Sequence, residues 1–126
     1  MRRAAVLCAP SIADSRGNAE GLPMTFLEAQ SCGLPVIAST SGGTAEGIVD
    51  GVTGLLFAPG DETALAEHLR TLLGDAAMRE RMGAAAREHI VANFDLRRQT
   101  ARLEAIYDEC RRQTADVAGG ARRPTG

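Results

Sequence analysis

The rhythm of apolar and polar positions changes near residue 60. Before that point apolar residues come in short unbroken runs, at 4–9, 35–39 and 55–57. A run without alternation, bounded by turn residues, predicts a strand covered on both faces, as in a parallel sheet. Between the runs lie a polar, glycine-containing loop at 11–22, a helical stretch at 23–32 and a short helix at 44–49. Pro23 suits a first helical position and Gly33 a helix end. Beyond residue 60, Leu65, Leu69, Leu72 and Leu73 recur at helical spacing, ending at Gly74. Asp75 heads a second helix to about Ala92, with Met78, Met82 and Ile90 near one stripe. Asp95 heads a third, with Leu96, Leu103, Ile106 and Tyr107 expected to face inward.

The resulting order, β-α-β-α-β-α-α-α, predicts an α/β fold with a parallel sheet of about three strands followed by C-terminal helices. Three strands are few when each reads as buried on both faces, so the pattern implies a part of a larger sheet. Residues 1–112 form the predicted domain. Residues 113–126, rich in Gly, Ala, Arg and Pro, read as a disordered tail.

Composition narrows the function classes. The 126 residues carry a net charge of −2, which implies neither a nucleic-acid nor an anionic-membrane partner. Aromatics are 3 % of residues and Trp is absent, against a base-stacking platform. All the basic residues are Arg, which excludes Lys-dependent chemistry within the chain. No apolar run is long enough to span a bilayer, and the basic-then-apolar start reads as a strand in preference to a signal peptide. Cys8, Cys32 and Cys110 fit no zinc spacing and read as buried, reduced thiols, as in a cytoplasmic protein. Dinucleotide and P-loop glycine motifs are missing. His68 and His89 read as boundary histidines, and Met24, Met78 and Met82 as core.

In an open α/β sheet, ligands bind beyond the carboxyl ends of the strands. Two loops lie there, 11–22 and 39–44, and both run into helix starts where free N–H groups favour an anion. Glu20 precedes the first of these helices and Glu28 lies eight residues later, within it. A carboxylate there suits a clamp on vicinal hydroxyls. The plain alternative is a loop carboxylate and a solvated helix face. Glu46 is open to both readings, helix-start charge or ligand contact.

A longer string shifts the balance toward the ligand-binding reading of Glu20 and Glu28. In order come Pro10-Ser11, Glu20-Gly21-Leu22-Pro23 with Glu28-Ala29, then Cys32-Gly33-Leu34-Pro35-Val36-Ile37-Ala38, Gly42-Gly43-Thr44-Ala45-Glu46, the segment 50–57 and Pro59-Gly60-Asp61. Met82-Gly83 and Phe94 extend it. Over about residues 4–110 the chain resembles the C-terminal, donor-binding half of retaining family-four glycosyltransferases, which have the GT-B fold with its Rossmann-like domains. The resemblance implies transfer of a glycosyl unit from a nucleotide-diphosphate sugar with retained configuration. It implies that Glu20 is catalytic, that Glu28 holds the ribose hydroxyls, and that backbone groups near Leu22, Met24 and Thr25 bind donor sugar and diphosphate. Gly42 and Gly43 would border the same crevice. No metal and no cofactor are implied, since protein donors stabilise the leaving diphosphate.

The chain departs from the family pattern in two places. Many members have Phe-Gly after the first Glu, whereas Gly21-Leu22-Pro23 stands here, and Pro23 has no N–H to give. The loop before Glu20 is long. Both traits resemble a subgroup that builds bacterial exopolysaccharide or lipopolysaccharide, in the cytoplasm or peripherally at the inner membrane. The family's acceptor-binding N-terminal domain, and the Arg/Lys pair that neutralises the diphosphate, would have to come in cis or in trans. The alternative is a non-catalytic nucleotide-sugar-binding remnant, or an inactive fragment.

Overall fold

The computed structural model describes residues 4–19 and 21–120, with side chains described as far as Thr114. Residues up to Asn93 form one compact unit and those from Phe94 a second.

The first unit is built on a three-stranded parallel sheet in the order β1-β2-β3. The strands are β1 (Leu7–Ala9), β2 (Val36–Ser39) and β3 (Gly54–Phe57). Leu7 pairs with Val36, Ala9 with Ala38, Ile37 with Leu55 and Ser39 with Phe57. Helices α1 (Met24–Ser31) and α2 (Thr44–Gly47) make the two crossovers. Each of these predicted elements is present; β1, β2, α1 and α2 are shorter than expected, and β3 begins one residue earlier, at Gly54.

Side chains alternate between the two sheet faces. On one face Val36 and Ala38 pack with Phe26 and Ala29 of α1, Leu34 and Ile48. On the other, Ile37, Leu55 and Phe57 pack with Leu72 of α3 (Glu62–Gly74) and Met82 of α4 (Ala76–Asn93). Burying a side chain such as Phe26 or Leu72 contributes about 1.5–3 kcal/mol. Asp61 caps α3 by accepting from Ala64 N–H at 2.9 Å, and Asp75 accepts from Met78 N–H at 2.8 Å.

Only β2 is buried at every position. In β1, Leu7 and Ala9 are half-buried and Cys8 is exposed, against the expectation of full burial. The physical reason is position: β1 lies at the sheet margin and pairs on one side only, with β2. The cysteine expectation fails with it, since Cys8, Cys32 and Cys110 are all exposed. Met24 is 66 % exposed and does not join the core, whereas Met82 does and Met78 packs against it.

The second unit contains α5 (Leu96–Gly120), capped by Asp95, which accepts from Arg98 N–H at 3.0 Å. The stripe Leu96, Leu103, Ile106 and Tyr107 is exposed, not inward-facing. A one-sided stripe fixes which residues share a face, not what covers that face. The helix also runs through 113–120, where a disordered tail was expected. Gly119 is the first strong helix breaker after Asp95, so local propensity carries the helix that far. The rest of the expected tail, 121–126, lies outside the described residues. Among the described residues, no helix is long and apolar enough to cross a membrane.

Candidate functional site

The carboxyl ends of the strands are Ala9, Ser39 and Phe57. The segments leaving them are tied together at once. The Ser39 hydroxyl donates to the Ser11 carbonyl, and Thr40 N–H donates to the Phe57 carbonyl at 2.8 Å. These bonds fix where the loops from β1 and β2 set out.

The two loops then converge. Gly43 carries ordinary dihedrals (φ −82°, ψ 10°), so its backbone does not require glycine. Space does: a Cβ there would lie 2.9 Å from Leu22 N and 3.0 Å from the Gly21 carbonyl carbon. Such distances are closer than a side-chain carbon normally approaches backbone. Gly42 differs, with φ +62°, the left-handed region that glycine enters without strain. Thr44, buried, turns its hydroxyl back to the Ser41 carbonyl at 2.6 Å and closes the turn. The Gly42-Gly43 turn therefore sits directly against the Gly21–Leu22 peptide.

Leu22 is half-buried and its side chain reaches under α2, filling the place a Cβ at Gly47 would need. Pro23, expected as the first helical residue, stands instead at the N-cap of α1, one residue before Met24, and no side chain caps this end. The helices α3, α4 and α5 each have an Asp cap instead. The first-turn N–H groups of α1, at Met24 and Thr25, have no intrahelical carbonyl to meet. Both residues are exposed. With no carboxylate cap, that end keeps its partial positive charge open to an incoming anion.

Glu28 lies one turn further along α1 and is exposed. It follows Thr25 by three residues and Met24 by four, so the three share a face, opposite the buried Phe26, Ala29 and Gln30. Helical Cα–Cβ bonds tilt toward the N-terminus, so Glu28 leans toward the open end of α1. The fold thus gathers Leu22, Gly42, Gly43, Met24 and Thr25 at the meeting of two loops, with Glu28 leaning in. Glu20 lies outside the described residues.

Two features went unseen in the sequence. One is Gln30, fully buried, whose Nε2 donates to the Gly47 carbonyl at 2.9 Å. An amide at a position whose neighbours at −4 and −1, Phe26 and Ala29, are core residues was the available signal. The other is the self-closed loop 14–18. Asp14 Oδ1 accepts from Arg16 and Asn18 N–H, each at 2.8 Å, and Oδ2 accepts from the Asn18 amide at 2.9 Å. The Asn18 side-chain bond leads in holding the Asp14 carboxyl below its ordinary range. His68, read as a boundary histidine, is half-buried, with Nε2 3.1 Å from the Leu56 carbonyl and its ring edge-on to Phe57.

The family model for glycosyl transferases group 1 matches residues 1–89. The chain belongs to that family. The GT-B C-terminal type of fold that the motif string implied is the one the structure has. A D-inositol 3-phosphate glycosyltransferase of Corynebacterium efficiens is 36 % identical over 122 residues, 97 % of this chain and 27 % of that relative. A GDP-mannose-dependent phosphatidylinositol monomannoside mannosyltransferase of Corynebacterium glutamicum is 47 % identical over 77 residues, 61 % of this chain and 20 % of that relative. Among solved structures, sucrose-phosphate synthase from Thermosynechococcus elongatus superposes with a TM-score of 0.72 at 31 % identity, covering 82 % of this chain and 25 % of its own. HepE of Anabaena, in complex with UDP-glucose, gives 0.67 at 26 % identity, covering 74 % of this chain and 26 % of its own. The chain spans between a fifth and about a quarter of the length of these curated relatives.

Proposed function

We propose that this group 1 glycosyl transferase chain carries the donor side of a sugar transfer, binding a nucleotide-diphosphate sugar where the two loops meet. The observation that supports this most is the contact of Gly43 with the Gly21–Leu22 peptide beside the side-chain-uncapped start of α1. It brings the two loop backbones together at the carboxyl end of a parallel sheet. That is where such folds take phosphorylated ligands. Relatives that work with GDP-mannose, and a neighbour holding UDP-glucose, favour a nucleotide sugar as the ligand class.

In this reading Glu28 accepts hydrogen bonds from the ribose hydroxyls, and the Met24 and Thr25 amides face the diphosphate. Leu22, Gly42 and Gly43 wall the sugar end. Glu20 acts at the transferred sugar, and configuration is retained. The acceptor is held by a further domain, in the same protein or a partner. Synthesis of a bacterial cell-surface polysaccharide, in the cytoplasm or at the inner membrane, is the proposed setting.

Chemical-shift mapping with UDP-glucose and GDP-mannose tests the assignment. Perturbations are expected to cluster at residues 22–28 and 42–44. The contrary result is a cluster around the cavity of about 260 Å³ between Val52, Arg81 and Met82, next to the turn that leads into β3.

A further inference from the structure

We infer that Gln30 is a positioning residue for the donor corner, holding the Gly42-Gly43 turn in place from inside the domain. The inference rests on the donor-site reading above and adds a residue to it. Gln30 is 0 % exposed, on the face of α1 that turns away from the site. Its amide reaches across to the last residue of α2, where Nε2 donates to the Gly47 carbonyl at 2.9 Å. Gly43, whose backbone lies on the Gly21–Leu22 peptide, is the N-cap of the same α2. The helix has four residues and no side-chain cap. A single turn of helix has little stability of its own. Its position must come from the groups that grip it. Leu22 packs against it, and Gln30 bonds its far end.

The other half of the Gln30 amide argues against a role in global stability. Oε1 is buried and has no hydrogen-bond partner among the described residues. The net gain from one buried hydrogen bond is modest, and an unsatisfied buried acceptor costs at least as much. A half-satisfied amide is therefore no more stabilising than an apolar side chain of its size. What Gln offers here and Met does not is a directed bond to Gly47.

The test uses hydrogen–deuterium exchange of the 126-residue chain, with UDP and GDP titrations alongside. The reporter is the Glu46 amide, which donates to the Gly43 carbonyl at 3.0 Å. In Gln30→Met, which keeps the volume, the melting temperature is expected to stay close to the parent's. Glu46 exchange should accelerate about tenfold while α3 amides do not change, and nucleotide affinity should fall by about the same factor. Unchanged Glu46 exchange overturns the inference, as does unchanged affinity for a nucleotide the parent binds. If Gln30→Met does not fold, the parent chain alone decides. The Gln30 side-chain amide protons must then exchange no faster than the Glu46 amide, and free exchange of those protons overturns the inference. Failure of the parent to bind either nucleotide counts against the donor-site reading, and the exchange result then decides the role of Gln30 by itself.

Discussion

Gly83, inside α4, lies against the backbone of Gly33, two residues past the end of α1. A Cβ on Gly83 would collide with the Gly33 carbonyl oxygen and stand 2.9 Å from its carbonyl carbon. The contact lies beside the packing of α1, the helix at the proposed donor corner, on α4. Gly33 has φ +73°, so neither glycine is free to change.

Gly83→Ala is accordingly expected to destabilise the chain. Alanine gains about 1 kcal/mol in helix propensity, but a backbone obstacle cannot rotate away, and overpacking costs about 1–3 kcal/mol or more. The clash should win, with a net loss on the order of 1–2 kcal/mol and a melting temperature lower by several degrees. Gly74→Ala is the control, since nothing lies within 4 Å of its Cβ position. A melt in which both variants match the parent would refute the close packing.

Gly43→Ala separates site geometry from stability. Its φ of −82° accepts alanine, so the strain falls on the Gly21–Leu22 contact alone. The variant should fold with a loss of about 1 kcal/mol and bind nucleotide sugar about tenfold more weakly, which is roughly 1.4 kcal/mol of binding energy. Calorimetric titration beside a melt distinguishes the two effects.

The sequence carried the fold well because its unbroken apolar runs and helical leucine spacing each admit one reading. Ile37 and Leu55 face α3 and α4, and Val36 and Ala38 face α1, as a doubly covered sheet requires. It carried the margins poorly. Cys8 and the stripe from Leu96 to Tyr107 look buried by composition, yet burial depends on what lies opposite, which local pattern does not encode. The corner itself was legible as a string of motifs, whereas the reason for Gly43 was not, since its constraint is a contact across 21 residues of chain.

The loop 14–18 should open in acid. Asp14 accepts three hydrogen bonds in its ionised form, and its carboxyl is held below the ordinary carboxylate range in the folded chain. A lowered folded value means the contribution is complete above the unfolded pKa and is lost as pH falls through the folded one. Protection of the Arg16 and Asn18 amides, measured against their intrinsic exchange rate at each pH, should therefore hold at neutral pH and be lost only in strong acid. Asp14→Ala should lack that protection at every pH, and equal protection in parent and variant at neutral pH would dismiss the loop.

The exposed thiols should react in the native state. Cys8, Cys32 and Cys110 are each expected to be labelled by a thiol reagent without denaturant. Partial desolvation raises the Cys8 thiol above its ordinary value, so Cys8 should be slower than the thiolate fraction of an ordinary cysteine would give. Peptide mapping of the labelled chain checks both the count and the order.

The most direct test of the account is a thermal melt of the chain with saturating UDP or GDP, set beside Glu28→Ala. At a hundred times its dissociation constant a nucleotide adds about 2.7 kcal/mol, several degrees for a domain of this size. Because Glu28 is exposed on α1, the variant should melt like the parent when unligated. The account predicts a shift in the parent that is absent in the variant. A cooperative parent melt that neither nucleotide moves, or a shift that survives Glu28→Ala undiminished, would contradict it.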